Sequence, residues 1–377
     1  MMPSVKGAAP SRKTVEELRS SLGADIDTEP VLPEFPEIGA SLLRELLPLL
    51  AGGCYLPALE SLRERLTQIR AVLTPEQWRK FCVQSFSAKQ FGQHAVSRPV
   101  KGGPLQSAKG PQARRQAAKE FVESLGAETD SEPVLRDFLQ SGCAGTARGL
   151  IHEPLILDVI YGFSGAPEDS TPAAEVLRPW ELALGFCASL RERHLLFVRE
   201  LSDLGNIVCR PRVLAVGCGH LREAAAALCL ENMRGAELIA FDRDRACIDL
   251  IEREYEHAGL RTISGSLRAL TNDSTLGKFD FIYLPTLLDT LEDLRVQKLI
   301  GSLLPLLKPG GRLLAANFSQ DLPDAAYLEA CLDWWPFYRG EEELAALLSP
   351  LHGQNLRGQT IFRDDSGGSV FLELQAI

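Results

Sequence analysis

The run Val213-Leu214-Ala215-Val216-Gly217-Cys218-Gly219-His220-Leu221-Arg222-Glu223 joins a buried strand to a helix through a tight Gly-x-Gly turn. A second apolar strand, Leu238 to Phe241, closes on Asp242 about 25 residues beyond that turn. These two parts are how an open α/β sheet holds an adenosine-containing cofactor. The glycines let backbone N–H groups approach the ligand, and the helix N-terminus from His220 onward favours an anionic group. The carboxylate of Asp242 accepts from two ribose hydroxyls. A dinucleotide fingerprint wants a third glycine at position 222; Arg222 stands there, and its side chain obstructs a pyrophosphate.

Hydrophobic periodicity organises the rest of this region. It predicts helix 180–204, strand 212–216, helix 220–232, strand 237–241, helix 245–258, strand 261–265 and strand 279–283. Helix 290–307, strand 311–318, helices 324–336 and 341–349, and strands 359–363 and 368–374 follow. Alternating strands and helices imply a mostly parallel sheet covered on both faces, and the last two strands imply an antiparallel addition.

The turn Leu307-Lys308-Pro309-Gly310-Gly311-Arg312-Leu313 resembles the entry to the fifth strand of class I methyltransferases, whose cofactor is S-adenosylmethionine. With it the expected fold class is a Rossmann-like α/β sheet preceded by an N-terminal helical region. A narrower resemblance rests on Gly217 to Ala224, Arg253-Glu254-Tyr255, Gly265-Ser266-Leu267-Arg268 and Ala316-Asn317-Phe318. It continues in Tyr327 to Trp335, Tyr338-Arg339 and Phe371 to Leu374. These blocks resemble bacterial methyltransferases that make 3-hydroxypalmitic acid methyl ester, an extracellular signalling factor. The match spans 180–377, with a looser likeness at Arg148-Gly149 and Leu157 to Gly162. It implies O-methylation of a fatty-acid carboxylate, with two alternatives kept open: another small-molecule acceptor, or a non-catalytic interaction protein.

The resemblance carries cofactor contact over to Gly217, Cys218, Gly219, His220, Asp242, Arg243, Ser266, Leu267 and Tyr283. Two positions depart from the general class I pattern. Ala215 stands where an acid usually contacts the cofactor ammonium, and Leu221 where a further glycine is usual. Ser266 replaces an adenine-contacting Asp, and its hydroxyl can still hydrogen-bond. Candidates for the chemistry are Arg339, Tyr338 and His220. An ionised carboxylate needs no base, so a cation to orient it suffices, with Arg339 or Arg222 in that role. His220 would act as a base on a hydroxyl or thiol; otherwise it is a first-turn neighbour of the cofactor. Arg339 can equally pair with Glu341, Glu342 or Glu343. Trp334, Trp335 and Tyr338 read either as core aromatics or as a substrate wall. Asp244 and Asp289 read as helix caps.

A length of 377 residues allows two domains. The expected division is a helical region at 1–85, a basic linker at 86–114, a helical connector at 115–177 and the methyltransferase domain at 178–377. Leucines at 59, 62 and 66 with Ile69 and Leu73 carry the helical pattern of the first. The second holds no acidic residue and is rich in Gly, Ser, Pro and Gln. Segments 12–35 and 115–138 align without gaps and share half their residues, including Ser-Leu-Gly-Ala and Glu-Pro-Val-Leu. That duplication reads as structural or as a means of self-association into a homo-oligomer. A net charge of −10 argues against general nucleic-acid binding. The nine cysteines include no Cys-x-x-Cys pair, which speaks for reduced thiols rather than disulfides or a zinc site. No apolar run reaches membrane-spanning length, and no secretion signal is evident at Met1; the expectation is a cytoplasmic enzyme with a small-molecule partner.

Overall fold

The computed structural model describes residues 55–86, 154–163, 179–224, 235–256 and 260–377, apart from 274, 333 and 352–355. The duplicated segments, the basic linker and Leu42 to Leu50 lie outside the described residues. In chain order the elements begin with helices α1 (Tyr55–Val72), α2 (Pro75–Phe86), α3 (Pro154–Tyr161) and α4 (Gly185–Ile207). Strands β1 (Arg212–Val216) and β2 (Glu237–Asp242), helix α5 (Arg245–Glu254), strand β3 (Arg261–Ser264) and helix α6 (Leu267–Asn272) follow. Then come β4 (Phe279–Leu284), α7 (Asp293–Leu303), β5 (Leu307–Phe318), α8 (Ala325–Ala330), α9 (Glu341–Leu348), β6 (Leu356–Arg363) and β7 (Ser369–Ala376). Among the described residues no helix is long and apolar enough to cross a membrane.

The chain divides into two compact units. The first comprises 1–151, 167–181 and 324–334, so that α8 belongs with α1 and α2. Leu59, Leu62, Leu66 and Ile69 recur at helical spacing on α1 and are all buried. Around them a buried carboxylate ties the helices together. Glu329 of α8 takes two hydrogen bonds from Arg70, at 2.8 and 3.0 Å, and one from the Trp78 indole at 2.5 Å. Arg63 reaches Asp324 at 2.9 Å, just before α8 begins.

The second unit, 152–166, 182–323 and 335–377, carries a seven-stranded sheet in the order β3-β2-β1-β4-β5-β7-β6. Strands β1 to β5 pair in parallel, and β7 runs antiparallel between β5 and β6. This is the mostly parallel α/β sheet with an antiparallel C-terminal addition that the sequence implies. Its strands read as continuous apolar runs because both faces are covered. Leu214, Val216, Ile239, Ile282 and Leu313 pack on one face with Val296, Ile300 and Leu303 of α7. Val213, Ala215, Phe281, Tyr283 and Leu314 pack on the other with Phe197, Leu201 and Leu204 of α4. The strand order turns outward in opposite directions from β1 and β4, which places a crevice at their carboxyl ends.

Four expectations are corrected. Helix 290–307 is shorter: α7 stops at Leu303 because Pro305 follows, and β5 already begins at Leu307. Helix 324–336 ends at Ala330, since Pro336 cannot continue a helix and biases Trp335 toward extended backbone. An unexpected short helix, α6, starts where the Ser266 hydroxyl accepts from Ala269 N at 3.1 Å. Asp289 caps no helix; it lies in a 3₁₀ turn, Leu287–Thr290, with its carboxylate buried. Asp244 does cap α5, accepting from Ala246 N at 2.9 Å.

The Lys308-Pro309-Gly310-Gly311 turn makes an irregularity in the β4–β5 register between Phe279 and Phe281. Gly310 has φ +75, whereas Gly311 is required by space: a Cβ there would stand 2.8 Å from the Phe279 carbonyl and 2.9 Å from that of Lys308. Both obstacles are backbone and cannot swing aside. Gly311→Ala should therefore destabilise the protein by about 1–3 kcal/mol, the usual range for forced overpacking. A urea midpoint unchanged from wild type would show that this turn relaxes freely.

Candidate functional site

Strand β1 delivers the glycine turn to the carboxyl edge of the sheet. Gly217 and Gly219 both take left-handed backbone, with φ +68 and +51. Leu221 does so too, at φ +59, although it is not glycine. A leucine there costs about 1–2 kcal/mol in backbone strain. Its side chain is fully buried, which offsets the strain by about 1.5–3 kcal/mol. Leu221 thus holds a backbone conformation that ordinarily favours glycine.

The turn is braced from β2. Gly217 N and Cys218 N donate to the Phe241 carbonyl at 2.9 and 3.2 Å. Gly219 N donates to Asp242 Oδ2 at 2.9 Å, and Asp244 N to Oδ1 at 2.8 Å. Asp242 is half-buried, and each carboxylate oxygen keeps lone-pair capacity for a further donor. Arg243 and Ser266 are exposed beside it, and Leu267 is half-buried.

Helix α3 covers this turn from a distant part of the sequence. A Cβ on Gly219 would meet Pro154 at 3.5 Å. Asp158, buried, accepts from Arg222 Nε at 2.8 Å and Nη2 at 2.6 Å, a two-point pair, and lies 2.8 Å from His220 Nδ1. Arg222 also pairs with Glu254, and its guanidinium carbon lies 5.4 Å from the centre of the Phe163 ring. The cation proposed to meet a substrate is therefore committed to α3 and α5.

Below the turn, Glu223 and Tyr283 form a buried pair with the phenol donating at 2.9 Å. Burial pushes the Glu223 carboxyl up to about 7. Burial, then Glu223, pushes Tyr283 far above its ordinary value. Tyr283 is wholly buried, so its hydroxyl meets Glu223 and not solvent. The Cys218 thiol is raised by burial, then by Asp242 and Glu223. Both carboxylates therefore stand close to the turn.

Arg339, the expected substrate cation, is buried with every N–H engaged. Its Nε and Nη2 donate to Asp293 at 3.0 and 2.9 Å. Its Nη1 donates to Asn317 Oδ1 and the Leu288 carbonyl, and Nη2 also to the Leu291 carbonyl. The guanidinium pins the loops after β4 and β5, and it pairs with Asp293 rather than with Glu341, Glu342 or Glu343. Tyr338 next to it is half-buried. Of the aromatic cluster, Trp334 falls in the helical unit, whereas Trp335 and Tyr338 belong to the sheet unit.

A buried polar network at the ends of β5 and β7 had no sequence motif. Arg193 of α4 donates from Nε to Ser369 Oγ at 2.5 Å and from Nη1 to Asp289 at 2.6 Å. Asp289 also accepts from Phe318 N, and Ser189 joins Ser369 and Asp364. One signal was present: Ser189 and Arg193 interrupt an otherwise apolar stripe of Phe186, Leu190, Phe197 and Leu201. Asp158 had only the loose likeness at Leu157 to Gly162, which gave it no role, because only the folded chain brings it to residue 220.

Residues 197–330, which include the turn, Asp242, Ser266 and Tyr283, match the family model described as "Tellurite resistance protein TehB". No curated protein sequence matches the chain. Among solved structures, a "possible exported protein" from Bordetella parapertussis is 16% identical, covers 81% of this chain and 99% of its own, and has a TM-score of 0.49. TehB from Haemophilus influenzae is 18% identical over 48% of this chain and 62% of its own, with a TM-score of 0.35. The magnesium protoporphyrin IX methyltransferase from Synechocystis PCC 6803, solved with bound SAH, is 13% identical over 61% of this chain and 98% of its own, at 0.42.

Burial raises the Asp158 carboxyl, but hydrogen bonds from Arg222 and His220 outweigh it and hold the group below its ordinary value of 3.8. A carboxyl lowered by folding contributes stability above its unfolded value, and that contribution is lost as pH falls through the folded one. Helix α3 should therefore stay docked down to about pH 4 and release progressively below it. Hydrogen exchange of the amides at 157–161, followed from about pH 5 to 2.5, checks this. Protection persisting at the acid end would mean that Asp158 does not hold the helix.

Proposed function

We propose that this chain, an S-adenosylmethionine-dependent methyltransferase, methylates the carboxylate of a fatty acid, with a 3-hydroxy acid as the preferred substrate, to give a methyl ester. The observation that carries the cofactor half is the braced turn. Its two glycines take left-handed backbone at the sheet's switch point, and the Asp242 carboxylate retains acceptor capacity beside it. The substrate half rests on the resemblance over 180–377.

The residues present fit the cofactor. Asp242 would accept from the ribose hydroxyls; the Gly217, Cys218 and Gly219 amides are spent on β2 and brace the turn rather than meet the ligand. The Ser266 hydroxyl, already an acceptor for Ala269 N, still has its hydrogen to donate to the adenine. Arg243 and Leu267 flank that end. Ala215 offers no acid for the ammonium group; Glu223, held by Tyr283, takes that part. When bound, the cofactor supplies a sulfonium methyl: the new O–C bond forms as the C–S bond breaks, its electron pair stays on sulfur, and no proton moves. The protein's share is to desolvate and align the acceptor oxygen.

A second reading has one specific observation in its favour. Asp158 orients His220 through Nδ1, and the tautomer with hydrogen there leaves Nε2 able to act as a base. That arrangement would suit a hydroxyl acceptor. Incubating the protein with methyl-labelled cofactor and a panel of fatty acids, 3-hydroxy acids, alcohols and phenols separates the two. A base-labile ester from the acids supports the first reading. Ethers from the alcohols or phenols support the second, and no cofactor binding at all sinks both.

Two outcomes follow for the cofactor site. Asp242→Ala should weaken S-adenosylmethionine binding by about 1.5–3 kcal/mol, read by isothermal titration; unchanged affinity in a folded variant would place the ribose elsewhere. Glu223, raised to about 7, is largely neutral in the free protein below that pH, and a cationic ammonium favours its ionised form. Affinity should therefore climb between about pH 6 and 7.5 and flatten in Glu223→Gln. A wild-type profile as flat as the variant's would remove Glu223 from the site.

A further inference from the structure

Three arginines of the sheet unit lie near the glycine turn or are buried at the carboxyl ends of its strands, and their donors are spent differently. Arg339 has every N–H engaged, and Arg222 is held by Asp158 and Glu254. Arg193 is 1% exposed, yet its Nη2 is buried with no hydrogen-bond partner. A guanidinium is always charged, and leaving a buried N–H of such a group unmet is unfavourable. Its bonds to Asp289 and Ser369 account for Nη1 and Nε, and leave Nη2 as the part of the group that no residue of the fold uses.

Its position gives a reason. The Arg193 guanidinium lies 4.0 Å from the centre of the Phe318 ring, at the last residue of β5. It donates to Ser369, the first residue of β7, and to Asp289, which follows β4. All three partners stand at the carboxyl edge of the sheet, on the β4 side of the glycine turn, where an acceptor beside the cofactor has to lie. The surroundings are aromatic: Tyr161 of α3 stacks on His194 with ring centres 4.6 Å apart, and Phe197 packs on Tyr283 at 5.3 Å. Two fixed partners, Ser369 and Asp289, hold the guanidinium plane so that Nη2 is the one nitrogen left to meet a ligand. Burial also pushes the Asp289 carboxyl up despite its bond to Arg193.

We infer that Arg193 receives the carboxylate of the acceptor, Nη2 donating to one oxygen while the other oxygen takes the methyl group. This rests on the methyltransferase reading and specifies its substrate as an anion with an apolar tail. Because Nη2 is sealed from solvent, the acid reaches it only with displacement of the side chains around it. Arg193→Lys keeps a cation for Asp289 but lacks the planar fork that presents Nη2.

The test uses the full chain with S-adenosylhomocysteine bound, titrated with 3-hydroxydodecanoate and with its uncharged amide. Wild type should bind the acid about tenfold or more tighter than the amide. In Arg193→Lys that preference should vanish and the KM for the acid rise by at least about tenfold, while cofactor affinity stays close to wild type. An acid preference that survives the substitution, or a wild type that binds acid and amide equally, would overturn the assignment; the second comparison decides even if the variant fails to fold. A wild type that binds neither cofactor nor its demethylated product overturns the methyltransferase reading, and the assignment with it.

Discussion

The hydrogen bond from Gly219 N to the Asp242 carboxylate is the contact on which the candidate site depends. It ties the turn after β1 to the end of β2 and holds two left-handed glycines in register with the neighbouring strand. The other Asp242 oxygen is fixed by Asp244 N, so the carboxylate is oriented before any ligand arrives. Orientation in advance removes an ordering cost from binding. Everything around the turn is arranged about that fixed point: the buried Glu223–Tyr283 pair beneath it, α3 above it, and the crevice between β1 and β4 beside it.

The departures from the general class I motif are absorbed in physically distinct ways. Leu221 takes left-handed backbone where a glycine is usual and offsets the strain by burying its side chain. Ala215, which cannot supply a carboxylate, sits in the fully buried stretch of β1, where an acid would have to be desolvated. A buried acid does stand near the turn at Glu223, at the start of the following helical segment, with a phenol to satisfy it.

Helix α3 shows how far apart in sequence the parts of one site can be. Asp158 meets His220 and Arg222 across more than sixty residues, and the pair with Arg222 is two-pointed. Its burial means that the three groups are stable only together: removing one partner leaves a desolvated charge. The buried network of Arg193, Asp289 and Ser369 follows the same rule at the other end of the crevice. In both places charges lie inside an otherwise apolar interior, and in both the partners come from different elements of the sheet unit.

The sequence by itself determined the strands and their order. Continuous apolar runs of strand length, separated by helical periodicity, admit little besides a covered parallel sheet, and the glycine turn with Asp242 marks which end of it is open. Local chemistry was equally legible at Asp244, whose short carboxylate caps the next helix from two residues away. The tertiary structure decided the rest. Asp289 became an ion-pair partner rather than a cap because the ends of β5 and α4 close over it. Arg339 became a loop clamp because Asp293 and three backbone or amide oxygens converge on it. Periodicity reports which face of an element is buried, but not which distant side chain will share that burial; a buried charge is defined by its partner, and the partner is chosen only when the chain folds.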